Sequence, residues 1–587
     1  MYLPEKRTIH KYLPAIVLVL FTVALCLVPV VEIGNRIGND WQGIPPSVID
    51  DDVYYYGRMM DAVKGNIFLG NPYFIEYKDA LSPAFFVPDL ISALPIFVGI
   101  SLVPSLIFNF FFWAIIFTLL AYRLAREYEL RPWPAVFISL FAFVEVYWLI
   151  MRPISMQIVF PAFLFFLLAF LLWLKKKDDK RRMVLLVVAS SLTFYLYTYM
   201  WQIVCIILGV AFLHQVFMKR WVHVKQLLIV GTSVIVLSIP VLFYTVKQIQ
   251  TEYYWETFRR IGLVATHLPT IYSYQYGRWV IVLLLAIFLI QKIKKEKGEM
   301  PTDILFVIYS GLGLFIMSVS NFITGKELET ALHAGRFITL WFALFGAILL
   351  FKWLFNKEFT WKPLNWVKIF FAVLVFLTLG FLVSNMRRSL PFSKIASTNF
   401  KQYQEYAPPL RWLDLNLPEQ SVIWANNAMS TYIPIMTDNY VLWNHLGALH
   451  LMPSDEVRDR YLVAWIGTSS SPRELVEHYR EYAGAGEVWD YTDQFYKNRL
   501  RCIMRQTCEA DQEFADWIGT GKIGELQVRQ TELKKDMQAT LNKYSVKAVV
   551  ADKTLGEDKY FDTLSMFEKV WNNERFVIYE NVLYKEY

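Results

Sequence analysis

Cysteine and charge are what this sequence has least of. Four cysteines in 587 residues exclude a disulfide scaffold, in which dense cross-links replace a missing core. Charged residues make up only 19 % of the chain, against about 25 % in soluble domains, which excludes a soluble multidomain enzyme, a disordered chain and a coiled coil. The sequence has no glycine-rich phosphate loop, no His/Cys cluster with metal-ligand spacing and no internal repeat. What it has in excess is apolar: hydrophobic residues reach 56 %, aromatics 17 %, and the mean hydropathy is +0.34.

The net charge of +7 does not point to nucleic acid, because it is unevenly placed. From Met386 onward there are 24 Lys+Arg against 28 Asp+Glu, and the first 385 residues carry 34 against 23. The basic excess sits between apolar runs, where membrane topology puts it. Runs of about 17 to 25 apolar residues can cross a hydrocarbon core. We read eleven, near 12–31, 104–122, 133–150, 158–174, 183–199, 200–218, 227–246, 279–291, 304–322, 338–355 and 369–385. The first lacks a small-residue cleavage site and is expected to remain as an anchor. Lys175 to Lys177 with Lys180 to Arg182, and Lys292 with Lys294, Lys295 and Lys297, fall in alternate loops. This places the N-terminus in the cytoplasm and the last 200 or so residues outside, in a plasma membrane. Residues 83–103 then count as a membrane-dipping helix broken by Pro88 and Pro95.

The expected fold is thus a polytopic α-helical membrane protein of about eleven transmembrane helices. Residues 1–385 form the membrane domain, with a long first outer loop over 32–103 and another over 247–278; residues 386–587 form a mixed α/β extracytoplasmic domain. Strand-like content marks Ser421 to Ala425, Lys547 to Ala551 and Arg575 to Tyr579. Ser454 to Tyr461, Ser471 to Tyr482 and Phe495 to Met504 read as helices, the first two behind Ser-x-x-Glu-like caps. A disulfide between Cys502 and Cys508 is chemically allowed outside the membrane, but on one helix their side chains point apart.

Charges at membrane depth usually line a site. Asp50, Asp51 and Asp52 in the first outer loop can supply a general base toward an acceptor hydroxyl or help bind a divalent cation such as Mg or Mn. Three acids in a row can also simply cap the helix starting near Val53. Arg336 enters a span at its outer lip with His333 one turn before it. A planar guanidinium there suits a phosphate, while a snorkelling or packing arginine is the alternative. Glu252, Glu256 and Arg259 lie in the loop from Lys247 to Arg278, and the tyrosines at 54–56 and 272–276 fit an interfacial aromatic belt.

One span, a long acidic outer loop, a membrane-dipping helix, a span ending Arg123-Leu124-Ala125-Arg126-Glu127-Tyr128-Glu129-Leu130 and then an aromatic-rich span follow in order. This arrangement resembles the GT-C superfamily of membrane glycosyltransferases, and within it the catalytic subunit of oligosaccharyltransferase. Gly335-Arg336-Phe337-Ile338-Thr339-Leu340 is similar to that family's Gly-x-Arg-Phe-like entry, and Trp412 through Trp424 to the start of its outer domain. Two motifs differ. Where the family has an Asp-x-Asp-like second loop, this chain reads Met151-Arg152-Pro153-Ile154-Ser155-Met156-Gln157, with no acid; in place of WWDYG it reads Trp424-Ala425-Asn426-Asn427-Ala428-Met429. A metal site built from both loops and glycosylation of asparagine sequons are therefore not expected.

The resemblance implies transfer of a sugar or glycan from a polyprenyl-phosphate-type donor to a glycan, lipid or protein acceptor on the extracytoplasmic side, with membrane lipid as the other partner. Asp52 is the base by alignment with the family's Asp-x-Tyr, Asp51 is the second choice, and Arg336 with His333 holds the donor phosphate. Glu252, Glu256 and Arg259 belong to the loop that closes over the donor. A catalytically inactive relative that binds lipid-linked glycan or scaffolds envelope assembly is a second reading, and a transporter a third, although no paired, glycine-broken spans suggest inverted repeats.

Overall fold

The computed structural model describes residues 6–48, 51–268, 270–294, 300–355, 392–466, 482, 485–503, 517–518 and 520–584. The apolar runs become helices. In chain order they are α1 (Lys6–Ile37), α2 (Asp52–Val63), α3 (Val87–Phe97), α4 (Leu102–Glu127), α5 (Pro132–Glu145), α6 (Tyr147–Met151), α7 (Ser155–Lys175), α8 (Lys180–Leu196) and α9 (Thr198–Phe217). There follow α10 (Trp221–Leu237), α11 (Ile239–Ile249), α12 (Tyr254–Ile261), α13 (Ile271–Lys294), α14 (Thr302–Ser318), α15 (Asn321–Thr324), α16 (Thr330–Trp341) and α17 (Ala347–Phe355).

Among the described residues, five stretches are long and apolar enough to cross a membrane: Tyr12–Asp40, Leu102–Glu127, Ser155–Lys175, Thr198–Phe217 and Thr330–Lys352. The pair Trp221–Leu237 and Ile239–Ile249, bent by 60°, makes a sixth if it is one span. The expected count of eleven is not reached among the described residues, where several apolar runs form helices of 17 residues or fewer. The run at 133–150 divides into α5 and α6, and α5, with 14 residues, is only about 21 Å long; α14 has 17 residues. The expected span at 369–385 lies outside the described residues. Pro88 begins α3 rather than breaking it, Pro95 sits inside, and its 11 residues are about half of what a crossing needs.

α7 is the hub of the bundle. Nearly all of its side chains are buried; Phe160 and Phe163 meet Phe337 of α16 edge-on, the latter at 4.8 Å between ring centres, while Phe166 and Phe170 stack along the helix. A helix apolar all round belongs in the interior of a bundle. α1, by contrast, shows Leu20, Phe21, Leu27 and Val31 on its surface, as expected of a helix with a lipid-facing side.

The C-terminal residues build a five-stranded sheet ordered β4-β3-β5-β7-β6. The strands are β3 (Val422–Ala425), β4 (Tyr440–Val441), β5 (Val546–Asp552), β6 (Phe567–Asn572) and β7 (Phe576–Asn581); β3 runs parallel to β4 and β5, and β7 antiparallel to β5 and β6. The three expected strands are present, as are helices Ser454–Ala464 and Ala485–Ile503; most of Ser471 to Tyr482, and Cys508, lie outside the described residues.

This sheet shares a core with the first loop. Tyr73 and Phe74 pack with Trp443 and Tyr461, and the Val441 N–H donates to the Tyr73 carbonyl at 2.8 Å. Arg460, fully buried, lies between the rings of Phe74 and Tyr544 at 4.6 and 4.4 Å. α2 is fixed to α3 by a buried ion pair, Arg58 donating from Nε and Nη2 to both carboxylate oxygens of Asp89 at 2.8 Å. Two short strands, β1 (Leu263–Ala265) and β2 (Lys326–Leu328), pair antiparallel and join the second loop to the start of α16.

Candidate functional site

Four separate connections bring polar side chains to one place. The first is the N-terminal end of α2. Asp51 is its cap residue and Asp52 opens its first turn, where a carboxylate is favoured by the helix dipole. Neighbouring helical residues point about 100° apart, and the two acids accordingly serve different surroundings. Asp51 forms an ion pair with Arg152. Asp52 is buried, accepts from the Val48 N–H at 3.0 Å through Oδ2, and lines an apolar cleft between α1 and α4. Asp50 lies outside the described residues.

The second connection is the turn between α6 and α7 that carries Arg152. Ile154 there has φ 63°, a conformation rare for a β-branched residue, so the turn is held against local preference. Arg152 donates to the Tyr55 hydroxyl at 3.3 Å and its guanidinium lies 5.1 Å from the Tyr55 ring centre. The third is the break between α8 and α9, where Tyr197 is extended at φ −164°. Its hydroxyl shares a hydrogen bond with His333 Nδ1, and Arg336 lies beside it.

The fourth is the β2–α16 corner. Glu329 turns the chain with φ 49°, and Glu327 Oε1 accepts from the Ala331 N–H at 2.8 Å, capping the helix that bears His333 and Arg336. Burial pushes the Glu327 carboxyl up to about 7, and nearby Glu329 adds to the effect. His333 stacks flat on Tyr199 at 4.0 Å and lies 3.4 Å from Glu329. Gly335 is required by close packing: a Cβ there would fall 2.3 Å from the Tyr276 ring.

The electrostatics are lopsided. Burial, and then the like charge of Arg336, hold the Arg152 pKa down to about 9. Two like-charged guanidinium groups therefore act on each other at the edge of the membrane-spanning bundle, at a cost. The carboxylates of Asp51 and Glu329 offset part of that cost. Among the described residues, no group of three His, Cys, Asp or Glu side chains could hold a metal ion.

The structure brings Asp51, Arg336 and His333 together through Arg152, Tyr55 and Tyr197, and sets Asp52 on the adjoining side of the α2 end. It does not bring in the second-loop residues. Glu256 accepts from the Ser454 N–H at 2.8 Å and caps the helix Ser454–Ala464; Arg259 pairs with Asp490 at 3.2 Å; Glu252 is exposed. Arg260, which sequence reasoning passed over, clamps this loop to the C-terminal region by donating to the Ala448 and Met452 carbonyls at 3.0 and 2.8 Å and to Ser454 Oγ at 2.7 Å. Arg152, in the turn between α6 and α7, is a further site residue that the acid-free stretch Met151–Gln157 does not flag by charge pattern. The available signal was an arginine followed by proline at the outer end of an apolar run.

The architecture is similar to solved structures. ArnT from Cupriavidus metallidurans bound to undecaprenyl phosphate is 13 % identical, with 96 % of this chain and 98 % of that one covered and a TM-score of 0.45. The Archaeoglobus fulgidus oligosaccharyltransferase tethered to an acceptor peptide containing the NVT sequon is 13 % identical, with 98 % and 75 % covered and a TM-score of 0.40. Both neighbours are GT-C membrane glycosyltransferases. No protein-family model matches the chain, and no curated protein matches its sequence.

Proposed function

We propose that the chain is a membrane glycosyltransferase that moves a sugar or glycan from a polyprenyl-phosphate donor to an acceptor hydroxyl on the extracytoplasmic side of the plasma membrane, its N-terminus in the cytoplasm. The observation that carries this is the pair Arg152 and Arg336, two partly buried guanidinium groups whose like charges act on each other, an arrangement of the kind that a phosphate satisfies through paired, charge-assisted hydrogen bonds. His333, fixed by Tyr197, Tyr199 and Glu329, supports the same pocket. The departing group in such a transfer is itself a phosphate, so the two arginines would stabilise the charge that develops as the bond breaks.

In the proposed step the acceptor O–H breaks and its proton passes to the Asp52 carboxylate. The acceptor oxygen bonds to the anomeric carbon, and that carbon's bond to the phosphate oxygen breaks, its electron pair leaving with the polyprenyl phosphate. Asp51 keeps Arg152 aimed at the pocket. Purified full-length protein in lipid nanodiscs, given undecaprenyl-phosphate-linked sugars, should release undecaprenyl phosphate with the sugar appearing on an acceptor. Asp52→Asn should slow release about 10²- to 10⁴-fold, the usual contribution of a general base, and Arg336→Gln should weaken donor binding. Binding without transfer in the unmodified protein would favour an inactive glycan-lipid binder, and release unchanged in an Asp51→Asn, Asp52→Asn double variant would overturn the proposal.

A further inference from the structure

The cleft lined by Asp52 has neither Arg152 nor Arg336 in its lining. It has a volume of about 490 Å³ and runs between α1 and α4, with Ile33 and Gly34 on one wall and Leu106 and Ile107 on the other. That size falls among ligand sites, which run from roughly 300 to 1,000 Å³. Its walls are the ends of two membrane-crossing stretches, on the side where Gln404 of the C-terminal region accepts from the N–H groups of Gln42 and Ile44. Apart from Asp52 its lining is almost wholly apolar, from Pro29, Val30 and Ile37 of α1 to Val103 and Phe110 of α4, so hydrocarbon suits it better than water.

Two adjacent residue pairs join the cleft to the arginine pocket. Asp52 and Met151 line the cleft, while their chain neighbours Asp51 and Arg152 form the ion pair of the pocket. Among the described residues lining the cleft, Asp52 carries the only charge, and it is negative. A polyprenyl phosphate entering here would set its phosphate against a carboxylate, whereas the guanidinium groups that suit it lie on the other side of the α2 end. A lipid with an uncharged hydroxyl headgroup meets no such repulsion and places its hydroxyl at the carboxylate.

We infer that the acceptor is a lipid: its hydrocarbon chain occupies the cleft between α1 and α4, and its hydroxyl reaches Asp52, across the α2 end from the donor phosphate. The inference rests on the glycosyltransferase proposal and names its acceptor class. The bonds made and broken are those given above, with the lipid's O–H as the one that loses its proton.

Gly34 provides the test, since a Cβ added there meets nothing within 4 Å and Gly34→Phe can fill the cleft without moving the backbone. Full-length protein in phosphatidylcholine nanodiscs is irradiated with one of two probes: a diacylglycerol carrying a diazirine midway along one acyl chain, or undecaprenyl phosphate carrying a photoreactive group on its distal isoprene. The diacylglycerol should label peptides containing Ile33 and Leu106, and Gly34→Phe should reduce that labelling about tenfold, which is 1.4 kcal/mol of lost occupancy, while undecaprenyl phosphate binding is unchanged. Labelling of these peptides by the undecaprenyl phosphate probe, or diacylglycerol labelling indifferent to Gly34→Phe, overturns the inference. If undecaprenyl phosphate binding proves independent of Arg336 while diacylglycerol labelling follows Gly34→Phe, the donor assignment fails and the lipid cleft stands.

Discussion

Replacing Arg152 by Gln should make the ligand-free protein no less stable while weakening its hold on a phosphate. The Arg152 pKa, held well below the usual guanidinium range at about 9, means that the charged form is disfavoured in the folded state. That cost is present in full below pH 9 and shrinks as pH rises. At about 1.4 kcal/mol per unit it is on the order of 5 kcal/mol as an upper bound. The Asp51 pair returns part of it, but the Asp51 side chain is 40 % exposed and can be solvated when its partner is gone, so little is lost there. Removing the charge also relieves Arg336. The melting temperature of Arg152→Gln should therefore be equal to that of the parent or a few degrees higher, given roughly 2–4 °C per kcal/mol for larger domains. Binding of undecaprenyl phosphate, measured by titration in nanodiscs, should fall by roughly 10- to 100-fold, the worth of about 1.5–3 kcal/mol for a hydrogen bond to a charged group. A variant that melts well below the parent and binds undecaprenyl phosphate normally would show that Arg152 is a structural arginine, and the phosphate pocket would lose its main support.

Other consequences follow from the same geometry. Asp89→Asn leaves Arg58 buried without its counter-charge and should cost about 3–5 kcal/mol, read as a lower melting temperature in detergent; the Arg58→Met, Asp89→Leu double variant should recover much of it. Glu327→Ala removes the cap of α16 and should cost about 1 kcal/mol while weakening undecaprenyl phosphate binding through a looser Arg336, and Glu327→Gln, which keeps an acceptor for the Ala331 N–H, should restore that binding. Burial pushes the Glu557 carboxyl from 4.5 up to about 7. Because the folded form holds its proton more tightly, this group's contribution is complete below pH 4.5 and is lost as pH rises through about 7. Melts at pH 5.5 and 7.5 should differ accordingly, by no more than about 3 kcal/mol, and Glu557→Gln should flatten the difference; a slope unchanged in that variant would assign the pH dependence to other groups.

What could be read in the residues was whatever rests on short-range chemistry. β-branched runs around Val422, Val549 and Val577 became strands because burial and pleating favour them wherever they lie, and the apolar runs became helices for a similar local reason. The length of a helix was less legible. Apolar content alone cannot distinguish a long crossing helix from a 14-residue one such as α5. Glu256 and Arg259 were singled out by charge alone, and their partners, Ser454 and Asp490, are some 200 positions away.

By itself the sequence determined that the chain lives in a membrane, that a mixed α/β region follows, and that carboxylates and a guanidinium sit near helix ends, because hydropathy and charge act residue by residue. Only the tertiary structure decided which of those charges meet. It paired Asp51 with Arg152, turned Asp52 toward the cleft between α1 and α4, and brought Arg152 near Arg336. Such placements depend on the crossing of α1, α4, α7 and α16, and a low dielectric there makes each charge answer to neighbours far away in the chain.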